Sequence, residues 1–180
     1  MQFTEEHVLS QDKAKSFAQE QMKPNTSDWD RQGMFFEEQV LIQDMAKSFA
    51  QEQIKPNASE WDRQGTFPAQ ALQQMGQLGF MGMLVPEEWG GSATGNLAYV
   101  LALEEIAAAD GATSAIMSVH NSVGCVPILK FGTEEQKQQF LVPLAKGEMI
   151  GAFALTEPNT GSDAAAIKTR AVKDGDHYII

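Results

Sequence analysis

Cysteine occurs once in these 180 residues, at Cys125, and histidine three times, at His7, His120 and His177. A lone thiol makes no internal disulfide, which is consistent with a reducing cytosol, and a small apolar residue of this kind belongs in a core. The three histidines show no metal-ligand spacing, so no metal is expected. Basic residues are few: 13 lysines and arginines face 24 aspartates and glutamates, a net charge of −11. That balance argues against nucleic acid and anionic membrane as partners. No uninterrupted apolar run approaches the roughly 20 residues needed to span a bilayer. The first residues, Met1-Gln2-Phe3-Thr4-Glu5-Glu6, are acidic and read as neither a signal nor a transit peptide, so the expected location is cytoplasmic. Apolar content is not lacking. At 43% it is enough for a core and argues against disorder. The length suits one domain, or one domain and part of another.

Residues 3–35 recur as 35–67 at an offset of 32, with 25 of the 33 aligned pairs identical. The clearest block is Ala14-Lys15-Ser16-Phe17-Ala18-Gln19-Glu20-Gln21, which returns as Ala46-Lys47-Ser48-Phe49-Ala50-Gln51-Glu52-Gln53. Two copies of one helix and its exit do not make a solenoid, which needs about three repeats. In the second copy Leu41, Met45 and Phe49 recur every fourth residue and predict an apolar stripe. The first copy has Lys13 where the second has Met45, and Ser10 where it has Ile42. Residues 1–34 are therefore expected to be an appended, more exposed copy, with the second copy packed in the fold.

Further along, Pro56 and Asn57 are expected to stop the helix of copy two. Phe67-Pro68 starts another, carrying Leu72, Met75 and Leu78 and ending at Gly79. Leu84 to Gly91 is too short and too punctuated for a helix, and Gly90-Gly91 reads as a plain turn. A helix follows from about Asn96 to Ala109, with Leu97, Val100, Leu101 and Ile106 on one broad face; Glu104 and Glu105 beside it read as solvated. Another runs from about Thr113 toward Val123, and Pro127 restarts it as a short turn ending at Gly132. His120 and Asn121 lie on it without a visible partner, so His120 reads as an ordinary buried or surface histidine. Thr133-Glu134-Glu135-Gln136 is a capping box. Pro143 interrupts the helix it opens, and Gly147 closes it. The period then changes. Met149 to Thr156, Ile167 to Val172 and His177 to Ile180 read as strands, the last two joined by a turn at Lys173-Asp174-Gly175-Asp176. Helices first and strands after describe an α+β fold, predominantly α: a helical bundle over 35–148, then the first strands of an incomplete β-barrel domain over 149–180.

The chemistry concentrates at Phe153-Ala154-Leu155-Thr156-Glu157-Pro158-Asn159-Thr160-Gly161-Ser162-Asp163. An apolar run breaks at Pro158 into a corner rich in hydroxyls and backbone donors, with Asn159 and Gly161 permitting turn geometry. Such a corner suits a phosphate or the polar edge of a heteroaromatic ring, and it equally describes an ordinary loop.

Ala154 to Asp163 resembles the first signature of the flavin-dependent acyl-CoA dehydrogenases: Thr-Glu-Pro, two variable residues, then Gly-Ser-Asp. The likeness extends through Val85-Pro86-Glu87-Glu88-Trp89-Gly90-Gly91 and Ile128-Leu129-Lys130-Phe131-Gly132-Thr133-Glu134-Glu135-Gln136-Lys137, and covers the chain from about Phe35 onward. The resemblance implies an FAD enzyme of the short- or branched-chain kind that removes two hydrogens from an acyl-CoA. It implies that Phe153, Ala154, Leu155 and Thr156 lie along the flavin, that Gly161 and Ser162 reach its pyrophosphate, and that Ser162 also lies near the substrate thioester. The helix carrying His120 would line the acyl pocket. Glu157 reads as structural. The family's glutamate base belongs to a C-terminal helical bundle, so this stretch is expected to be inactive alone. An electron-transferring flavoprotein and a homo-oligomeric assembly are the expected partners. The alternatives are a non-catalytic helical module that binds acyl-CoA or a partner through apolar surface, and an incomplete gene product.

Overall fold

Prolines placed inside helical sequence set the first problem of this fold, and the chain solves it the same way three times. In the computed structural model, which describes residues 34–180, α1 (Met34–Phe49) passes through a π turn at Ala50–Ile54 into α2 (Lys55–Gln64). The Lys55 amide donates to the Ala50 carbonyl, five residues back. Pro56, next in line, has no amide, and its ring would strike the carbonyl four residues earlier in a regular α-helix. One widened turn moves that carbonyl aside. The expectation that Pro56 and Asn57 end this helix is therefore wrong. The π turn carries the axis on to Gly65. A π turn at His120–Cys125 likewise joins α5 (Gly111–Val119) to α6 (Val126–Phe131) ahead of Pro127. A third, Lys137–Leu141, joins α7 (Glu134–Gln136) to α8 (Val142–Ala145) ahead of Pro143. Between these lie α3 (Ala69–Gln77) and α4 (Gly95–Ala109). The expectations for copy one, over residues 1–34, fall outside the described residues.

The described residues form two compact units. The first takes the chain up to Leu72 together with Thr94–Ala115. Here α1 lies along α4. The buried residues of α1 are Gln39, Ile42, Ala46 and Phe49, and Ala50 and Ile54 follow in the π turn. Those of α4 are Ala98, Ala102 and Ile106, at strict four-residue spacing. Gln43 donates from Nε2 to Glu105 Oε1 at 2.9 Å. The predicted stripes hold at Phe49 and Ile106, which are buried, and fail at their other ends. Leu41 is 69% exposed and Leu97 51%, and Met45 and Val100 also face outward. Alanine fills the seam where the sequence reading placed leucine and valine, because small side chains let two helices approach closely.

The second unit comprises Gln73–Ala93 and Ile116–Ile180. Its core gathers Val85, Cys125, Leu141, Leu144 and Ala145, with Trp89, Ile128 and Leu129 packed against it. Cys125 is fully buried, and burial pushes its thiol up to about 12. Lys137 Nζ stands 5.5 Å from the Trp89 ring centroid, within cation–π range. The loop from Val85 to Ala93 folds back on itself. Gly91 donates to the Pro86 carbonyl at 3.2 Å, Ser92 to Gly82 at 3.0 Å and Ala93 to Val85 at 3.1 Å. A Cβ on Gly91 would stand 2.0 Å from the Val85 carbonyl oxygen, so only glycine fits. Gly90-Gly91 is a turn, as expected. The capping box is also present: Thr133 Oγ1 accepts from the Gln136 amide and Gln136 Oε1 from the Thr133 amide.

Two expectations about length need correction. Gly111–Phe131 is one continuous helical stretch of 21 residues, long and apolar enough, by length and composition alone, to cross a membrane. Counting uninterrupted apolar runs missed it, because serines, His120 and Asn121 break the run without breaking the helix. In the second unit both of those polar side chains are fully buried and hydrogen-bonded to protein. The strand expected over Met149–Thr156 is also not paired. It has no regular structure and no neighbouring strand among the described residues. Of Ile167–Val172 only Val172 joins a ladder. That ladder is the antiparallel hairpin β1 (Val172–Asp174) and β2 (His177–Ile179), in register Val172 with Ile179, Lys173 with Tyr178 and Asp174 with His177. Gly175, at φ +59, takes the first of its two loop positions, where a type II′ turn requires glycine. The architecture is helical, with this one small sheet at its end.

Candidate functional site

The site is built from the second unit outward. Past α8 the chain turns at Gly147 and runs without regular structure from Gly151 to Thr156. From Ala152 to Thr156 no backbone amide or carbonyl is paired with another described residue. Phe153 is 53% exposed and Leu155 39%, and Ala154 and Thr156 are also exposed. The stretch therefore presents apolar side chains beside solvent-facing backbone donors and acceptors, a surface suited to a flat ligand with a polar edge.

The corner that follows is closed by Glu157. Its amide donates to the Thr160 carbonyl at 2.8 Å, and the Thr160 amide returns to the Glu157 carbonyl at 3.2 Å, enclosing Pro158 and Asn159. Its carboxylate then takes the Lys168 amide at 3.0 Å on Oε2 and the Thr169 amide at 2.7 Å on Oε1, along with the Thr169 hydroxyl. The Thr169 hydroxyl, then the Lys168 and Thr169 amides, hold the Glu157 carboxyl below its ordinary value. Glu157 is thus a clamp from Thr156 across to Thr169, with the Gly161-Ser162 step inside the loop it closes. Gly161 is half-buried, and a Cβ there would lie 3.7 Å from Thr156 Cγ2. Thr160 is buried, while Ser162 is exposed. Thr156 and Gly161 come together. Phe153, Ala154, Leu155 and Ser162 are placed on the same open segment, without mutual contacts that would fix a pocket.

Two residues that sequence reasoning passed over organise the ground beneath. Asn121 Oδ1 accepts the Met83 amide at 3.0 Å, and its Nδ2 donates to the Phe80 carbonyl at 2.8 Å and to Met117 at 3.1 Å. The three bonds use nearly the full capacity of one amide group. The His120 ring lies between the Leu144 carbonyl, 3.0 Å from Nε2, and the Gly151 amide, which donates to Nδ1 at 2.9 Å. Burial holds its pKa below the ordinary value, against the opposing pull of its backbone hydrogen bonds to Leu144 and Met81. No spacing in the sequence links His120 to Gly151. Among the described residues there is no cluster of metal ligands.

The chain is similar to proteins already known. Residues 36–148 match the family description "Acyl-CoA dehydrogenase, N-terminal domain". The short-chain specific acyl-CoA dehydrogenase of Clostridium acetobutylicum is 50% identical over 114 residues, which is 63% of this chain and 30% of that protein. The 3-(aryl)acrylate reductase of Clostridium sporogenes is 45% identical over 180 residues, covering 100% of this chain and 39% of the relative. A solved acyl-CoA dehydrogenase from Bacillus anthracis, complexed with FAD, superposes with a TM-score of 0.75 at 33% identity, covering 82% of this chain and 25% of that one. This chain spans well under half the length of these relatives.

Proposed function

Because the chain belongs to the acyl-CoA dehydrogenase family, we propose that Gly151 to Asp163 is the flavin edge of an acyl-CoA dehydrogenase active site. One observation carries the reading: the run of unpaired backbone from Ala152 to Thr156, which leads into the residues that resemble the family's signature, Ala154 to Asp163. FAD fits it. Phe153 and Leu155 offer apolar cover, the free amides and the Thr156 hydroxyl offer donors to a polar ring edge, and Gly161-Ser162 offers a small, exposed approach for a pyrophosphate. When bound, the flavin would take the hydride from the β-carbon of an acyl-CoA. The residues here bind and orient it, and Ser162 lies near the thioester. Glu157 is engaged by Lys168 and Thr169 and is not the base. We place the base outside these residues, in keeping with relatives two to three times as long, and expect the 180 residues alone to turn nothing over. On the same reading, 35–148 is the helical N-terminal domain and 149–180 opens a β domain. The whole protein is then a cytoplasmic homo-oligomer that passes electrons to an electron-transferring flavoprotein. The resemblance to an acrylate reductase leaves the direction of hydride flow to the partner redox couple.

The test is flavin binding by the purified protein, followed by fluorescence quenching. Thr156→Val and Ser162→Ala should each weaken FAD at least fivefold. Unchanged affinity in both variants overturns the site. Oxidation of butanoyl-CoA by residues 1–180 with an artificial acceptor overturns the proposed placement of the base. A second reading, a non-catalytic module that docks acyl-CoA or a partner, is favoured by the exposed Leu41, Leu97 and Val100. A colourless, self-associating protein would support it.

A further inference from the structure

His120 is the one titratable side chain that connects the helical part of the second unit to the candidate flavin segment. Its tautomer is fixed by its neighbours. The Leu144 carbonyl can only accept and the Gly151 amide can only donate, so Nε2 carries the hydrogen and Nδ1 offers its lone pair. The backbones meet closely beside it. A Cβ on Gly151 would stand 3.3 Å from Gly124 Cα and 3.6 Å from His120 Nδ1. Gly151 is the last residue of this run that is tied down, since the five that follow have no backbone partner among the described residues. We infer that His120 is a positioning residue: its neutral ring pins Gly151 against the π turn and so sets the path of Phe153 to Thr156, and its protonation releases that path. A second proton on the ring would occupy Nδ1 and turn the only acceptor facing the Gly151 amide into a donor.

No charge nearby offsets this. The Phe80–Met83 segment carries no titratable side chain. On the turn itself the other titratable group is the Cys125 thiol, which burial keeps neutral. On the stretch from α8 to Gly151 the charged residues are Lys146 and Glu148, both exposed. The imidazolium would be buried without a countercharge; the Leu144 and Met81 carbonyls favour it, but burial outweighs them, so the neutral ring is favoured and the change falls below the ordinary histidine range.

This inference rests on the flavin reading for its consequence but not for its test. In ¹⁵N-labelled full chain, the His120 ring nitrogens should show the Nε2–H form at pH 7.5. The Gly151 amide, corrected for intrinsic exchange, should lose at least tenfold protection as the ring protonates. His120→Asn, which keeps an oxygen acceptor near the Nδ1 position and does not titrate, should keep that protection flat with pH. His120→Leu should lack it throughout. An Nδ1–H tautomer, or the same pH dependence in His120→Asn, overturns the inference. FAD binding is measured over the same range, and its affinity should fall at least fivefold with acid in the wild type and not in His120→Asn. If Gly151 follows His120 but FAD is bound at no pH, the latch stands and the flavin reading falls. If FAD binds while Gly151 ignores His120, the reverse holds.

Discussion

Replacing Asn121 by leucine removes the buried amide while keeping its branched outline, with two methyl groups somewhat bulkier than the amide atoms. Asn121 is fully buried and makes three hydrogen bonds to backbone. Leucine removes all three. A typical hydrogen bond inside a protein contributes about 1 kcal/mol net, so losing three costs about 3 kcal/mol. For a chain of this size about 3 kcal/mol lowers Tm by roughly 6–12 °C. Thermal and urea unfolding followed by circular dichroism measure it. A fall of less than about 2 °C would mean that the loop from Phe80 to Met83 is held by its apolar side chains and not by the amide. The companion variant Asn121→Asp sharpens the sign. One carboxylate oxygen can still accept from Met83, but the other faces the Phe80 and Met117 carbonyls, so the folded protein favours the protonated acid. Its stability is then fully present below about pH 4 and declines as pH rises.

Three further outcomes follow from the packing. Gly91→Ala puts a Cβ against two backbone carbonyls, those of Val85 and Gly82, that cannot move aside; a loss of about 4 kcal/mol or more, seen as failure to reach a cooperative unfolding transition, is expected, and a mild variant refutes the close approach. Ile42→Ala should cost about 2–5 kcal/mol and Leu41→Gln less than about 0.5 kcal/mol in urea titrations, which reverses if Leu41 and Met45 and not the observed seam carry the burial. Glu157→Gln keeps an acceptor but loses the charge, so amide exchange at Lys168 and Thr169 should quicken. In the wild type, protection of these amides, corrected for intrinsic exchange, should begin to fall as pH drops below the ordinary carboxyl value of 4.5, because the lowered pKa of Glu157 stabilises the loop only while it is ionised. Exchange that is flat with acid would remove Glu157 from its role as clamp.

Much of the order of elements was legible from the residues. The capping box at Thr133, the proline-led start of α3, the change of character near residue 148 and the hairpin at Gly175 are local signals. Each is decided within four or five residues, where turn chemistry and capping act. The seam between α1 and α4 was not legible, because an apolar face marks what can be buried and not which neighbour arrives. Alanines at 46, 98 and 102 won by letting the backbones close, and the larger residues beside them stayed outside. The helix through Pro56 was misread for a related reason: a proline forbids one hydrogen bond but not the axis. At the candidate site the signature at 154–163 was visible as a motif. The roles of His120 and Asn121 were not, because their partners are backbone groups, which every residue has.

The three widened turns have a consequence for how such a chain can change over time. Each holds one residue more than a regular helix would use, and each sits directly ahead of a proline. Deleting the surplus residue while keeping the proline would drive the ring into the backbone. Exchanging the proline alone would leave a slack loop of helix with no reason to stay wide. The two alterations are tolerable only as a pair, so insertion and substitution at Ile54–Pro56, Cys125–Pro127 and Leu141–Pro143 should be inherited together, as a single unit of change.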